Sequence, residues 1–287
     1  MDGIVNIWKP TGLTSHDVVA RVRRAAGTRR VGHTGTLDPM AEGVLPICIG
    51  KATHAVDWVV AAEKTYLCTM CLGKTTDTED STGTVLTEVP VLCGEEEITK
   101  IMHAFEGECD QIPPMYSAVH HEGQRLYTLA RQGITVERKP RRVTFFHITP
   151  VKIELPLVTF EVQCSKGAYI RTLCKDMGEA LGCGGHMTAL ARTASGRFTK
   201  ENAVLLTDFE VDPQNHILPT ETVFSHLPRV EANAEEEKRI RNGAAILNPY
   251  KEDGEYAVFS ETGMLLCISC GIKQGNTHLL KMCTSFY

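Results

Sequence analysis

In the stretch GHTGTLDPMAEGVLP, one carboxylate, Asp38, stands between Leu37 and Pro39. An Asp before a proline is ordinarily a turn or helix-cap residue, but its neighbours suit a ligand. Gly32 and Gly35 let the backbone approach a partner closely. His33 offers a flat ring with polar edges, and Arg29 and Arg30 supply positive charge just upstream. Such a loop can present one carboxylate to a polyanion. A carboxylate there has three uses: metal ligand, general acid–base, or nucleophile. A metal site needs more ligands at short spacing, and the loop holds none. A glycosidase pair needs a second acid; a partner elsewhere in the chain stays open. The nucleophile role fits a single acid best.

Two further segments carry candidate chemistry. In CSKGAYIRTLCKD, Tyr169 and Arg171 are two residues apart. On a strand they share one face, an aromatic ring beside a guanidinium, which suits base stacking next to a carboxylate. In EKTYLC, Tyr66 follows Lys64 by two, and a lysine on the same strand face would favour the phenolate. Other motifs fall away. GVLPICIGK has six residues between its glycines and no Ser or Thr after Lys51, so it is no P-loop. GCGG, at 182–185, reads as a helix stop. The C-x-x-C pairs Cys68/Cys71 and Cys267/Cys270 lie in apolar, strand-like runs, where residues three apart point to opposite faces. Buried free thiols are expected there rather than zinc. A disulfide framework is not expected from eleven cysteines in a chain without a secretion signal.

These residues need elements to hold them. TSHDVVARVRRAAG reads as a helix capped by Thr14 or Ser15 and ended by Gly27. EEEITKIMHAFEG is an amphipathic helix, and RTLCKDMGEALGCGG a helix with a glycine stop. KTYLCTMCLG, RRVTFFHITPVKIEL and LVTFEVQCSKGAYI alternate as strands. Strands and helices mix without a strict βαβ rhythm. The expected fold is α/β in the α+β sense, a mixed, largely antiparallel sheet core with flanking helices. The composition changes at DPQNHILPTETVFSHLPRV. Residues 1–212 are expected to form the catalytic domain, 213–230 a linker and 231–287 a small β-rich domain.

The composition, 43% hydrophobic and 23% charged, is that of a soluble globular protein. No apolar run is long enough to span a bilayer, and the N-terminus lacks the layout of a signal peptide. A cytoplasmic protein with no membrane partner is expected. The net charge of −5 argues mildly against a nucleic-acid partner. Its distribution argues the other way. RVRRAAGTRR holds five arginines and no acid, and RKPRR is a second basic patch. Arg23, Arg24, Arg29, Arg30, Arg141 and Arg142 are candidate phosphate contacts.

NIWKPTGLTSHDVV, RRVGHTGTLDPMAEGVLPICIGKAT, KTYLCTMCLGKTTDTEDSTG, QIPPMYSAVHHEGQRLYTLARQG and CSKGAYIRTLCKDMGEALGCGGHMTALARTASGRF follow one another here. Together they resemble, in order, the motifs of the bacterial TruB family, tRNA pseudouridine synthases that isomerise the T-loop uridine conventionally numbered 55. The resemblance covers residues 3–210. It implies that Asp38 is the catalytic aspartate, Tyr66 the tyrosine that stacks on the flipped base, and Arg171 the partner of the carboxylate, with Tyr169 beside it. It makes His33 the residue that holds the rearranged T-loop. Lys9 and Pro10 support the site wall, and Leu190 lines an apolar pocket. Residues 111–142 correspond to the RNA-gripping insertion of stand-alone enzymes, so tRNA is expected as partner, through its T-arm, without a guide RNA. The C-terminal stretch resembles a short PUA-type domain. The reaction is redox-neutral and loses no group, so no cofactor or metal is expected. A monomer is expected. The alternative is a catalytically silent RNA-binding protein of the same fold that assists tRNA folding.

Overall fold

The computed structural model describes residues 1–287. Its centre is a ten-stranded mixed sheet. Along its main path the order is Val204–Leu205, Gly3–Lys9, Glu42–Ile49, Gly185–Ser195, Lys64–Leu72, Leu157–Cys164, Arg141–Glu154 and Gly107–Gln111. Val31–His33 adds to Glu42–Ile49, and Phe198–Thr199 to Gly185–Ser195. Two pairings are parallel, Gly3–Lys9 with Val204–Leu205 and Gly185–Ser195 with Glu42–Ile49; the others are antiparallel. The mixed, largely antiparallel core read from the sequence is therefore present.

The strands take their places by side-chain pattern. Lys64–Leu72 alternates, with Lys64, Tyr66, Cys68, Met70 and Leu72 buried on one face. Glu42–Ile49 is buried on both faces beyond its first residue and occupies a central position. The helix Ser15–Ala25 starts at Thr14, whose side chain accepts from the Asp17 N–H while the Asp17 carboxylate accepts from the Thr14 N–H, a capping box. Its buried stripe is Ser15, Val18, Val19 and Val22. The helix Ile170–Ala180 lies on the sheet, and Cys174 Sγ sits 3.5 Å from Cys68 Sγ. No helix is long and apolar enough to cross a membrane.

The C-terminal part is β-rich: a five-stranded sheet in the order Arg229–Ala232, Gly254–Ser260, Leu265–Gln274, Thr277–Ser285 and Ile246–Leu247, with the helix Ala234–Arg241. The segment before it is fastened down at both ends. Ile4 and Leu218 exchange backbone hydrogen bonds of 2.8 and 2.7 Å at the edge of the main sheet. Phe224 stacks edge-on against Trp58 at 5.5 Å and lies 5.5 Å from Phe286, within an apolar cluster that joins the two parts.

One cysteine expectation needs correcting. Cys270 is disulfide-bonded to Cys283 across the antiparallel strands Leu265–Gln274 and Thr277–Ser285. The partner lies on the adjacent strand, outside the C-x-x-C spacing that drew attention to Cys270. Cys267 is a free buried thiol, as are Cys68 and seven others that are wholly or partly buried. Cys68 and Cys71 point to opposite faces, one buried and one half-buried.

Candidate active site

The loop carrying Asp38 joins two paired strands, Val31–His33 and Glu42–Ile49. It is fastened from three sides. Thr34 donates through both N–H and hydroxyl to the Pro46 carbonyl, each at 3.1 Å. The Leu37 N–H donates to Ser15 Oγ at 2.9 Å, and Ser15 Oγ donates to the Leu37 carbonyl at 3.2 Å. The Gly12 N–H donates to the Pro39 carbonyl at 2.7 Å. The Lys9–Ser15 segment thus forms a wall behind the loop. Lys9 itself is buried, its ammonium donating to the Pro10 and Leu13 carbonyls at 2.9 and 2.7 Å, and burial lowers its pKa to about 8. Pro10 is exposed at the corner of that wall.

Arg171 meets Asp38 in a fork. Nε lies 3.0 Å from Oδ2 and Nη2 donates to Oδ1 at 3.2 Å. Nη2 also donates to the Tyr116 carbonyl at 2.8 Å, and Nη1 to the Thr78 carbonyl at 3.2 Å. The arginine side chain is 6% exposed, while that of Asp38 keeps 31% of its surface open. A fully partnered cation therefore holds a carboxylate that keeps part of its surface open. The strand geometry expected for Tyr169 and Arg171 is corrected. The turn at Lys166–Gly167, with Gly167 at φ +84°, ends the strand, so Tyr169 precedes the helix and Arg171 lies in its first turn. Tyr169 is placed by Gln111, whose side-chain amide clamps its backbone: Tyr169 N–H to Oε1 at 2.9 Å and Nε2 to the Tyr169 carbonyl at 3.1 Å.

The second acid that the loop left open comes from elsewhere in the chain. Asp80 Oδ2 lies 3.7 Å from Arg171 Nη1, and the side chain is buried. Its Oδ1 accepts from the Thr78 hydroxyl, the Thr82 N–H and the Thr82 hydroxyl at 2.8, 2.9 and 2.6 Å. Arg171 thus stands between two carboxylates with unequal roles: one sealed by hydroxyls, one open. Burial pushes the Asp38 carboxyl up, Arg171 pulls it down and Asp80 pushes it up again; it ends above its ordinary value. Arg171 pulls it down as expected, and burial, the larger effect, leaves it above its ordinary value.

Tyr66 and Leu190 share a sheet face. Across the strand pair, Arg192 lies opposite Tyr66 and Leu190 opposite Cys68. Leu190 and Tyr66 are each 8% exposed. Burial pushes the Tyr66 phenol up, and Arg192, opposite it in the strand register, pulls it down. The expected help from Lys64 is absent: its ammonium turns away, donating to the Val60 and Ala62 carbonyls. His33 packs edge-on against His16, ring centroids 5.3 Å apart, and accepts from the Gly35 N–H at 3.3 Å. Burial, then His16, Arg192 and Arg125, lower its pKa to about 4.

The excursion between Gly107–Gln111 and Arg141–Glu154 leaves the sheet between directly paired residues, Gln111 opposite Arg141. It carries a small hairpin and the helix Leu126–Arg131, and its Tyr116 carbonyl reaches Arg171. Arg141, Arg23, Arg24, Arg29 and Arg30 are exposed. Arg142 is exposed too but pairs with Glu108 and Asp110 at 3.3 and 3.5 Å. Three residues of the site escaped the sequence reading: Asp80, Gln111 and Arg192. Asp80 had a signal, an acid amid threonines in TTDTEDSTG that looks like a plain polar turn. No group of three or more His, Cys, Asp or Glu gathers in a metal-like cluster.

Comparison with known proteins defines the class. Residues 23–170 match the TruB family pseudouridylate synthase N-terminal domain, and 171–225 the tRNA pseudouridylate synthase B C-terminal domain. A protein of Alkaliphilus oremlandii named tRNA pseudouridine synthase B is 43% identical over 93% of this chain and 89% of its own length. One of the same name from Clostridium kluyveri is 45% identical over 91% and 92%. Among solved structures, a Cbf5-Nop10-Gar1 complex aligns with TM-score 0.74 and 29% identity over 99% of this chain and 85% of that one. An H/ACA RNP bound to a substrate RNA containing 2'-deoxyuridine aligns with TM-score 0.73 and 26% identity over 99% and 85%. The sheet, with its arginine-held carboxylate, is thus that of a pseudouridylate synthase, an isomerase. The chain belongs to the TruB family.

Proposed function

We propose that this chain isomerises uridine to pseudouridine in the T-loop of tRNA, at the position conventionally numbered 55, with Asp38 as nucleophile and no guide RNA. The observation that carries the reading is the open Asp38 carboxylate in the Arg171 fork. Relatives named tRNA pseudouridine synthase B support tRNA as the substrate.

The reaction breaks N1–C1′, turns the base and joins C5 to C1′; a proton leaves C5 and one is gained at N1. The target base must first leave its stack, at a cost of a few kcal/mol. Stacking on Tyr66 returns about 1–3 kcal/mol, and Leu190, two residues from Arg192 on the facing strand, offers an apolar neighbour. Asp38 attacks only when ionised, and the Arg171 fork aims both of its oxygens. His33 is neutral near pH 7 because its pKa lies far below, so it serves by shape and hydrogen bonding. Tyr169 adds an aromatic surface beside Arg171. Lys9 and Pro10 act through the wall behind the loop, and the exposed arginines, Arg141 among them, meet phosphates. The molecule acts as a cytoplasmic monomer.

The test uses the purified chain alone and an unmodified tRNA transcript tritiated at C5 of its uridines. Stoichiometric release of tritium mapping to the T-loop is the expected result. Release only on adding a guide RNA, or from other loops, would remove the stand-alone T-loop reading. Tight binding without any release would favour the silent folding assistant instead.

A further inference from the structure

Arg192 is the largest wholly buried side chain of the protein, 1% exposed. A buried guanidinium normally has a carboxylate partner, since an unpaired interior charge is costly. Arg192 has none: no Asp or Glu oxygen comes within ion-pair distance of it. Nε donates to the Val44 carbonyl at 2.7 Å and Nη2 to the Gly35 carbonyl at 3.2 Å. Nη1 lies against Gly35, where a Cβ would come 3.5 Å from it, and donates to neither of these carbonyls. The neighbouring strand is shaped around it. Gly43 has φ +117°, and a Cβ there would fall 2.3 Å from the Arg192 carbonyl oxygen.

The two arginines of the site are thus divided. Arg171 serves Asp38 and Asp80. Arg192 serves neither; it lies opposite Tyr66 in the strand register, on the same buried face, and its charge pulls the phenol's pKa down. Cys164, from the adjacent strand, and Asp38, from the loop, act on the phenol in the opposite sense. Both would be anionic when ionised and work against a phenolate. Lys64, farther along the face, spends its protons on backbone carbonyls. Arg192 is the cation placed to favour negative charge on the Tyr66 oxygen.

We infer that Arg192 is a positioning residue for the isomerisation, holding the Tyr66 oxygen and supplying the positive charge against which it becomes a phenolate, so that Tyr66 takes the proton leaving C5. The inference rests on the reaction proposed above. The proton balance closes: Tyr66 first gives its phenol proton to water. The C5–H bond then breaks, its electron pair restores the C5–C6 double bond, and the proton ends on the Tyr66 oxygen. Water supplies the proton gained at N1.

The test is a double-mutant cycle read in single-turnover tritium release, with tRNA affinity and melting temperature measured on every variant. Arg192→Met is expected to slow turnover about 10²-fold or more, within the range of a positioned general base, while tRNA affinity stays within about threefold, under 1 kcal/mol. Placed in a Tyr66→Phe background, the same change is expected to add little, because the oxygen it acts on is gone. Arg192→Lys keeps the charge and is expected to recover part of the rate. Should Arg192→Met lose the fold, the Lys variant carries the cycle in its place. Equal slowing in the wild-type and Tyr66→Phe backgrounds would overturn the inference, leaving Arg192 a brace for Gly35 and Val44. Wild-type turnover in Arg192→Met would also overturn it. Wild-type turnover in Tyr66→Phe instead removes the tyrosine from proton transfer, a different failure from that of the tritium-release reading itself.

Discussion

At the residue scale, the site is set by how far burial and neighbouring charge move a few ionisable groups. Asp38 is raised, first by burial, and Arg171 pulls against that rise. A carboxylate nucleophile is active when deprotonated, so activity is lost as pH falls through the raised pKa, and the acid limb lies above that of an ordinary aspartate. Arg171→Met removes the opposing pull and moves the limb to higher pH. A kcat/KM–pH profile of both proteins checks this; an unmoved limb in the variant would mean Arg171 does not tune Asp38. His33 runs the other way. With its pKa near 4, it contributes no titration between pH 6 and 8, so tRNA affinity over that window owes nothing to its charge.

At the element scale, close backbone contacts decide whether the site forms. Gly178, in the helix that starts at Arg171's turn, lies against the Gly184–Gly185 turn; a Cβ there would come 2.3 Å from Gly185 N. Gly178→Ala forces helix and turn apart, at a cost of about 1–3 kcal/mol. That lowers the melting temperature by about 2–4 °C per kcal/mol for a chain of this size, and Arg171 moves with the helix. Unchanged melting would show that the turn yields freely. Much of this level was legible from the sequence. The Thr14 cap, the apolar stripe of Val18, Val19 and Val22, and the period-two pattern of Lys64–Leu72 are local signals. Contacts that depend on long-range pairing were not. Asp80 reaches Arg171 from 91 positions away in the sequence, the Gln111 clamp on Tyr169 spans 58, and the Cys270–Cys283 bond joins two neighbouring strands. The Tyr169–Arg171 face was misjudged for a local reason: the Gly167 turn ends the strand before them. Lys64 shares its face with Tyr66 as expected, yet its ammonium finds nearer acceptors in the chain's own backbone.

At the scale of the whole molecule, the net charge of −5 and the binding of a polyanion are reconciled by where the charges lie. Arg23, Arg24, Arg29 and Arg30 stand exposed on and just after one helix, upstream of the Asp38 loop. Arg142, by contrast, is engaged by Glu108 and Asp110. Replacing a true phosphate contact lowers the slope of log K against log salt by about 0.7–0.9. Arg29→Ala and Arg30→Ala are expected to do so, and Arg142→Ala to do less. Salt titrations of tRNA binding check it; slopes that ignore the first cluster would make it a solvated face. The C-terminal sheet shares an apolar cluster with Ala55 and Trp58 of the main body, so its removal should expose that cluster and destabilise the whole chain.

A single open carboxylate, Asp38, is proposed as the nucleophile, while Tyr66 handles the proton and the surrounding residues hold the RNA. Asp38→Asn keeps the shape of the loop and removes the charge. Single-turnover tritium release from the T-loop uridine, measured beside tRNA affinity, tests it most directly. Release near zero is expected, with affinity within about tenfold of wild type, ~1.4 kcal/mol. Turnover of the Asn variant within about tenfold of wild type, a barrier change of ~1.4 kcal/mol or less, would contradict it.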